Sequence, residues 1–136
     1  MIIGITRGTT KYHIIRATLE SIAYQVGDLA ELMHTSTGID IKMLKVDGGA
    51  SANDLLMSIQ ADISGADIER PRCVETTALG VALLCGLSLG VYKSIDEIKS
   101  YRCVDKIFSP TKDNEWRKEN VRQWRRAVKR SLDWKE

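Results

Sequence analysis

Cysteine is scarce in this chain: Cys73, Cys85 and Cys103 are odd in number, widely spaced and without a CxxC pair. That argues against a disulfide framework and against a zinc site, and reduced thiols in a cytoplasmic protein are the economical reading. An excess of one charge sign is also lacking, with 20 Lys and Arg against 18 Asp and Glu. A net charge of +2 is too small by itself to imply a polyanionic partner. No apolar run approaches the roughly 18 residues that a membrane span needs, so no membrane partner is expected. The start, Met1-Ile2-Ile3-Gly4, lacks the basic-then-apolar layout of a secretory signal. There is no internal repeat, no low-complexity tract and no GxxxxGK[ST] stretch, which excludes a P-loop enzyme.

What is present fits one globular domain. The 136 residues are 43% hydrophobic and 28% charged, values that indicate neither disorder nor a fibre. The most informative stretch runs Lys45-Val46-Asp47-Gly48-Gly49-Ala50-Ser51-Ala52-Asn53, from an apolar segment into a helical one. Glycine lets backbone amides approach a phosphate closely and accepts dihedrals closed to other residues. A helix start at roughly Ala50 to Asn53 would aim unpaired N–H groups at the same spot, where they favour an anion. The pattern is therefore half of a nucleotide cradle, or else a tight strand-to-helix turn with no ligand.

Periodicity supplies the frame. Ile15, Leu19, Ile22, Val26, Leu29 and Met33 recur every three or four positions between Lys11 and Met33, predicting a long amphipathic helix with one buried stripe. Thr9 or Thr10 caps its start and Gly38 lies in the turn beyond its end. Ile41 to Val46 reads as a strand. Leu55, Leu56, Ile59 and Ile63 mark a second helix closed near Gly65, and Asp67 to Glu69 reads as another strand leading to Pro71. Thr76 to about Leu89 is a third helix whose Ala78, Gly80, Ala82 and Gly86 would allow close contact with a neighbour. Ser94 to Ile98 starts like a short helix with a serine cap and acidic first turn. Glu115 to Lys135 is helical, with Trp116, Val121, Trp124, Val128 and Leu132 down one side. The element order favours an α/β layer with parallel strands, an α/β part over 1–92 and a helical tail over 93–136. Two short strands are too few for a stable parallel sheet, so the chain reads as the back part of a larger domain.

Several of these residues together resemble the carbohydrate kinases that include glycerol, xylulose and gluconate kinases. Gly4-Ile5 followed by His13-Ile14-Ile15-Arg16-Ala17-Thr18-Leu19-Glu20 resembles that family's second signature. Val46-Asp47-Gly48-Gly49-Ala50, Asn53, Gln60-Ala61-Asp62-Ile63, Arg70-Pro71 and Glu75-Thr76-Thr77-Ala78-Leu79-Gly80 resemble its C-terminal domain in order and spacing, the glycerol-using branch being nearest. The resemblance implies a partial actin-like, ribonuclease-H-like domain over 1–136, truncated at its N-terminal side, with helices around a short parallel sheet. It implies ATP or ADP in a cleft, with Mg2+, and glycerol held by an N-terminal domain that this chain lacks. Carried over by position, Gly48 and Gly49 face the phosphates and ribose and Asn53 approaches the adenine. The family's general-base aspartate has no counterpart here, so no catalytic residue is assigned, and no metal ligand. Asp47 serves the turn. A homo-oligomer is expected, because truncation exposes a sheet edge and a helix stripe.

Other candidates carry less. His13 and His34 lie 21 residues apart on one helix and cannot share a metal within a monomer. Arg16 and Glu20 are spaced to pair across a helix turn. Glu75-Thr76-Thr77 either caps a helix or contacts the cleft. The basic tail (Arg117, Lys118, Arg122, Arg125, Arg126, Lys129, Arg130, Lys135) reads as a solvated face opposite a docked apolar stripe rather than a nucleic-acid surface. A non-catalytic module binding protein or nucleic acid is the alternative function.

Overall fold

Twenty-seven residues, Lys11–Thr37, form the long first helix α1 in the computed structural model, which describes residues 1–133. Thr10 takes the N-cap position and its backbone N–H donates to His13 Nδ1 at 3.0 Å. Gly38 ends the helix in the left-handed conformation (φ 71°), its N–H donating to the His34 carbonyl. The strand β1 is Met43–Lys45. A 3-10 turn, Gly49–Ala52, then leads into helix α2, Asp54–Ser64, which Gly65 closes in the left-handed region. Strand β2 is Asp67–Pro71, helix α3 is Thr76–Ser88, helix α4 is Ile95–Ser100, strand β3 is Val104–Phe108 and helix α5 is Asn114–Ser131.

The sheet order is β1-β2-β3, with β1 and β2 parallel and β2 and β3 antiparallel. This corrects the expectation of a parallel sheet: it is mixed, and its third strand falls in the segment read as a helical tail. The sequence Val-Asp-Lys-Ile-Phe does not alternate apolar with polar, and only Phe108 of the strand is buried, so the period-two signal of a half-buried strand is missing. The helical end expected at Lys135 lies outside the described residues.

Two small apolar clusters hold the layers together. Leu56, Met57, Ala61, Ile68 and Phe108 pack between α2 and the sheet, with Leu44 and Val46 beside them. Ala23, Ile59 and Ile63 seal α1 to α2, joined by Tyr24 and Trp116. Burial of a side chain such as Ile68 or Phe108 stabilises by roughly 1.5–3 kcal/mol. Gln60, nearly inaccessible, donates its side-chain amide to the Ala23 carbonyl at 3.3 Å, so the α1–α2 seam carries a satisfied polar bond.

The buried stripe expected on α1 is not buried. Ile15, Ile22, Val26, Leu29 and Met33 are all exposed, Leu19 is half-buried against the core, and Ala23 is the one buried residue of the helix. The helix meets α2 and the core through Leu19, Ala23, Tyr24 and Gly27, where a Cβ would lie 3.4 Å from Ile63. The larger side chains project beyond what three short strands cover. No residue of α3 is buried either. Its small residues do not seat a neighbouring helix: a Cβ on Gly86 would meet the Tyr92 ring at 2.6 Å, and one on Gly80 would meet nothing within 4 Å. On α5, Trp116, Val121 and Trp124 are half-buried as expected, but Val128, and Leu132 just past the helix end, are exposed.

Candidate functional site

The carboxyl end of β1 is where the chain leaves the sheet. The Val46 N–H still donates to the Glu69 carbonyl of β2, and beyond it the backbone turns at Asp47-Gly48-Gly49. Two contacts tie this turn to the entry of α3. The Thr76 hydroxyl donates to the Asp47 carboxylate, and the Gly48 N–H donates to the Val74 carbonyl at 2.7 Å. Asp47 thus serves the turn, as its place before the glycines implied. Thr76 faces the glycine loop, while Glu75 occupies the N-cap position with no side-chain cap bond.

The two glycines have different reasons to be glycine. Gly48 has φ 76° and ψ 170°, a backbone region that residues with a Cβ essentially do not enter. Gly49 lies outside the left-handed region, and a Cβ placed on it would meet nothing within 4 Å. Nothing in this chain's own packing requires glycine there. The space beside it is open to a ligand.

The amides are arranged differently from the simple helix start read in the sequence. The 3-10 turn intervenes: Ser51 donates both its N–H (3.1 Å) and its hydroxyl (2.7 Å) to the Gly48 carbonyl, and the Asn53 N–H donates to Ala50. The Gly48 N–H is spent on Val74, whereas those of Gly49 and Ala50 find no partner among the described residues. Asn53 is the N-cap of α2, its Oδ1 accepting from Leu56 N–H at 3.1 Å. The side-chain NH2 of Asn53 has no partner among the described residues. The structure therefore brings Gly48, Gly49 and Asn53 onto one turn, with donors left over at Gly49, Ala50 and Asn53.

A charged floor supports the turn, and sequence reasoning gave it no role. Arg70 of β2 donates Nη1 to the Ser51 carbonyl (3.0 Å) and to Asp54 Oδ1 (2.7 Å), and Nε to Asp105 of β3 (2.8 Å). Lys106 reaches the other Asp54 oxygen at 2.7 Å. The Lys106 ammonium lies 4.6 Å, and the Arg70 guanidinium 5.2 Å, from the centre of the Phe108 ring. Hydrogen bonds from Lys106 and then Arg70 hold the Asp54 carboxyl below the usual carboxylate range, and Asp54 and Asp105 together raise the Arg70 pKa. The sequence signal was Arg70-Pro71 ending a strand; the partners that give Arg70 meaning lie 16 to 35 residues away.

The other candidates stay apart. His13 serves the start of α1 and His34 lies 3.1 Å from Asp40 near its end. Arg16 pairs with Glu20 at 2.7 Å. A cavity of about 490 Å³ opens between α1 and α5 beside Ile41 and Leu44, at the opposite end of β1 from the glycines. Among the described residues no three His, Cys, Asp or Glu side chains converge to hold a metal, and no helix is long and apolar enough to cross a membrane.

This α/β fold is shared with parts of solved carbohydrate kinases. The model of the FGGY family of carbohydrate kinases, C-terminal domain, matches residues 1–89. The chain is 51% identical over 133 residues to a glycerol kinase of Agathobacter rectalis, covering 98% of this chain and 27% of that protein. It is 55% identical over 135 residues to one from Pseudothermotoga lettingae, covering 99% and 27%. The crystal structure of Plasmodium falciparum glycerol kinase with ADP superposes with a TM-score of 0.87 at 36% identity, covering 97% of this chain and 26% of that one. A xylulose kinase from Lactobacillus acidophilus, at 20% identity and a TM-score of 0.77, shares the fold over 97% of this chain and 27% of its own. The chain belongs to the FGGY family of carbohydrate kinases and corresponds to its C-terminal domain. It spans about a quarter (27%) of the length of the curated relatives it matches.

Proposed function

We propose that this chain forms the C-terminal wall of the nucleotide cleft of an ATP-dependent glycerol kinase. Gly48 and Gly49 lie against the phosphates and ribose of ATP or ADP, and Asn53 approaches the adenine. The observation that carries this reading is Gly49: open space where its Cβ would be, no backbone need for glycine, and two adjacent amides without partners among the described residues. Identity above 50% to glycerol kinases supports the substrate, and the structural neighbour solved with ADP supports the nucleotide.

Phosphoryl transfer depends mostly on positioning and on neutralising charge. The Gly49 and Ala50 N–H groups supply fixed partial positive charge to an anion without a competing side chain. In the full-length protein an aspartate outside this chain takes the proton from a terminal hydroxyl of glycerol. The freed oxygen attacks the γ-phosphorus in line, giving glycerol 3-phosphate and ADP. Among the described residues no three His, Cys, Asp or Glu side chains converge, so no residue of this chain is assigned to Mg2+, which would supply charge neutralisation when bound. The chain alone turns over no substrate. The full-length protein works in the cytoplasm as a homo-oligomer.

Titration of the chain with ADP tests the reading. Weak binding that disappears in Gly49→Arg, with the thermal midpoint unchanged, supports the cradle. Equal binding by the unsubstituted chain and Gly49→Arg overturns it. The substrate is tested separately on the full-length protein, where activity with another polyol and none with glycerol contradicts the assignment.

A further inference from the structure

We propose that Arg70 is a positioning residue for the nucleotide: it brackets Asn53 by gripping the backbone two residues before it and the carboxylate one residue after it. The proposal rests on the cleft-wall reading above. One nitrogen, Nη1, donates to both the Ser51 carbonyl and Asp54 Oδ1, so both flanks of Asn53 are pinned to the same planar group. The other edge of that plane is anchored, Nε and Nη2 each lying 2.8 Å from Asp105 Oδ2. The side chain is only 12% exposed and rises from the middle strand of the sheet, paired in register with Lys106. The position of Asn53 is thereby referred to the sheet rather than to a free loop.

The chemistry calls for arginine. A lysine is a point donor on a flexible stem and cannot serve three acceptors in one plane. Arg70 is the one donor to the Ser51 carbonyl among the described residues. Ser51 itself is 1% exposed, so losing that donor leaves a carbonyl of a buried residue unpaired and frees the turn to shift. Lys106 keeps its own bond to Asp54, so one flank of Asn53 stays anchored while the other is released. The consequence falls on orientation rather than on the whole fold. The Asn53 amide, with its NH2 uncommitted, is the group whose aim the bracket sets.

Calorimetric titration with ADP of four forms tests this: the unsubstituted chain, Arg70→Gln, Asn53→Ser and the double variant. Serine retains an N-cap acceptor for α2 while removing the amide. If Arg70 acts through Asn53, each single change weakens ADP by about tenfold, and the double variant is within about twofold of Asn53→Ser. Unaltered ADP affinity in Arg70→Gln overturns the bracket while leaving the cradle standing. So does a double variant that loses the product of the two single effects, since that makes Arg70 independent of Asn53. Failure of the unsubstituted chain to bind ADP overturns the cradle and the bracket with it. Should Arg70→Gln not fold, Asp105→Asn frees the anchored edge without touching the turn. It is expected to weaken ADP in the same direction by a smaller factor, and ADP affinity unchanged in that variant counts against the proposal.

Discussion

Adjacent glycines at the end of β1 answer to different constraints, and substitution separates them. Gly48→Ala forces a Cβ into a backbone region reserved for glycine, so equilibrium denaturation should show a loss of about 1–3 kcal/mol. Gly49→Ala meets no atom within 4 Å and should leave stability within about 0.5 kcal/mol, while ADP affinity falls. Equal destabilisation by the two contradicts the assignment of Gly49 to a ligand. The Gly-Gly pair itself was plain in the sequence. That Gly48 spends its amide on Val74, while those of Gly49 and Ala50 have no partner among the described residues, was not, because Val74 lies 26 residues away on a different loop.

Carboxylates at this scale also set the response to acid. Arg122, and then Gln123, hydrogen-bond to Glu119 and pull its pKa down to about 2. A carboxyl with a depressed folded pKa contributes stability above its unfolded value, and that contribution is lost as pH falls through the folded one. For Glu119 the window runs from 4.5 down to about 2. Denaturant melts at several pH values across it should show a shallower acid loss in Glu119→Gln than in the parent. The two exposed partners keep the effect small.

Elements are held by a few long-range contacts, and α5 is the clearest case. Trp124 stacks on Tyr24 of α1 with centroids 5.1 Å apart and planes 9° from parallel, and its Nε1 donates to Asp28 at 2.7 Å. Arg125 pairs with Glu31 one turn further along α1. At the other end of α5, Arg117 donates to the Asp62 carbonyl while its guanidinium fills the space beside Gly65. Trp124→Ala should cost about 1–3 kcal/mol and raise hydrogen exchange in α5 before α2, since α2 keeps its own packing. Uniform exchange changes across both helices would contradict separate seating. Helices were legible because their caps and periods are local: Gly38, Gly65 and Ser94 mark ends that the backbone follows. Strand β3 escaped because its alternation is spoiled by Asp105 and Lys106, residues placed there for Arg70 and Asp54.

At the scale of the whole molecule, apolar surface is left without cover. The outer face of α1 exposes Ile15, Leu29 and Met33, and α3 with the residue after it exposes Val81, Leu84 and Leu89. Exposed apolar side chains in this number favour association. Light scattering at about 50 μM should report species larger than the monomer, with a shift toward monomer after Leu84→Glu, and a single monodisperse monomer contradicts the expectation. The sequence pattern foresaw this excess, since two recognisable strands cannot cover so long an amphipathic helix. Of the stripe expected on α1 only Leu19 packs, and the rest of the contact uses Ala23, Tyr24 and Gly27. The claim on which the functional account turns is that ADP lies against bare main chain at Gly49 and Ala50. Amide-resolved NMR titration with ADP measures this directly. The account predicts the largest shifts at the Gly49 and Ala50 N–H groups and the Asn53 side-chain amide. Saturating shifts confined to the cavity between α1 and α5, with those three groups unmoved, would contradict it.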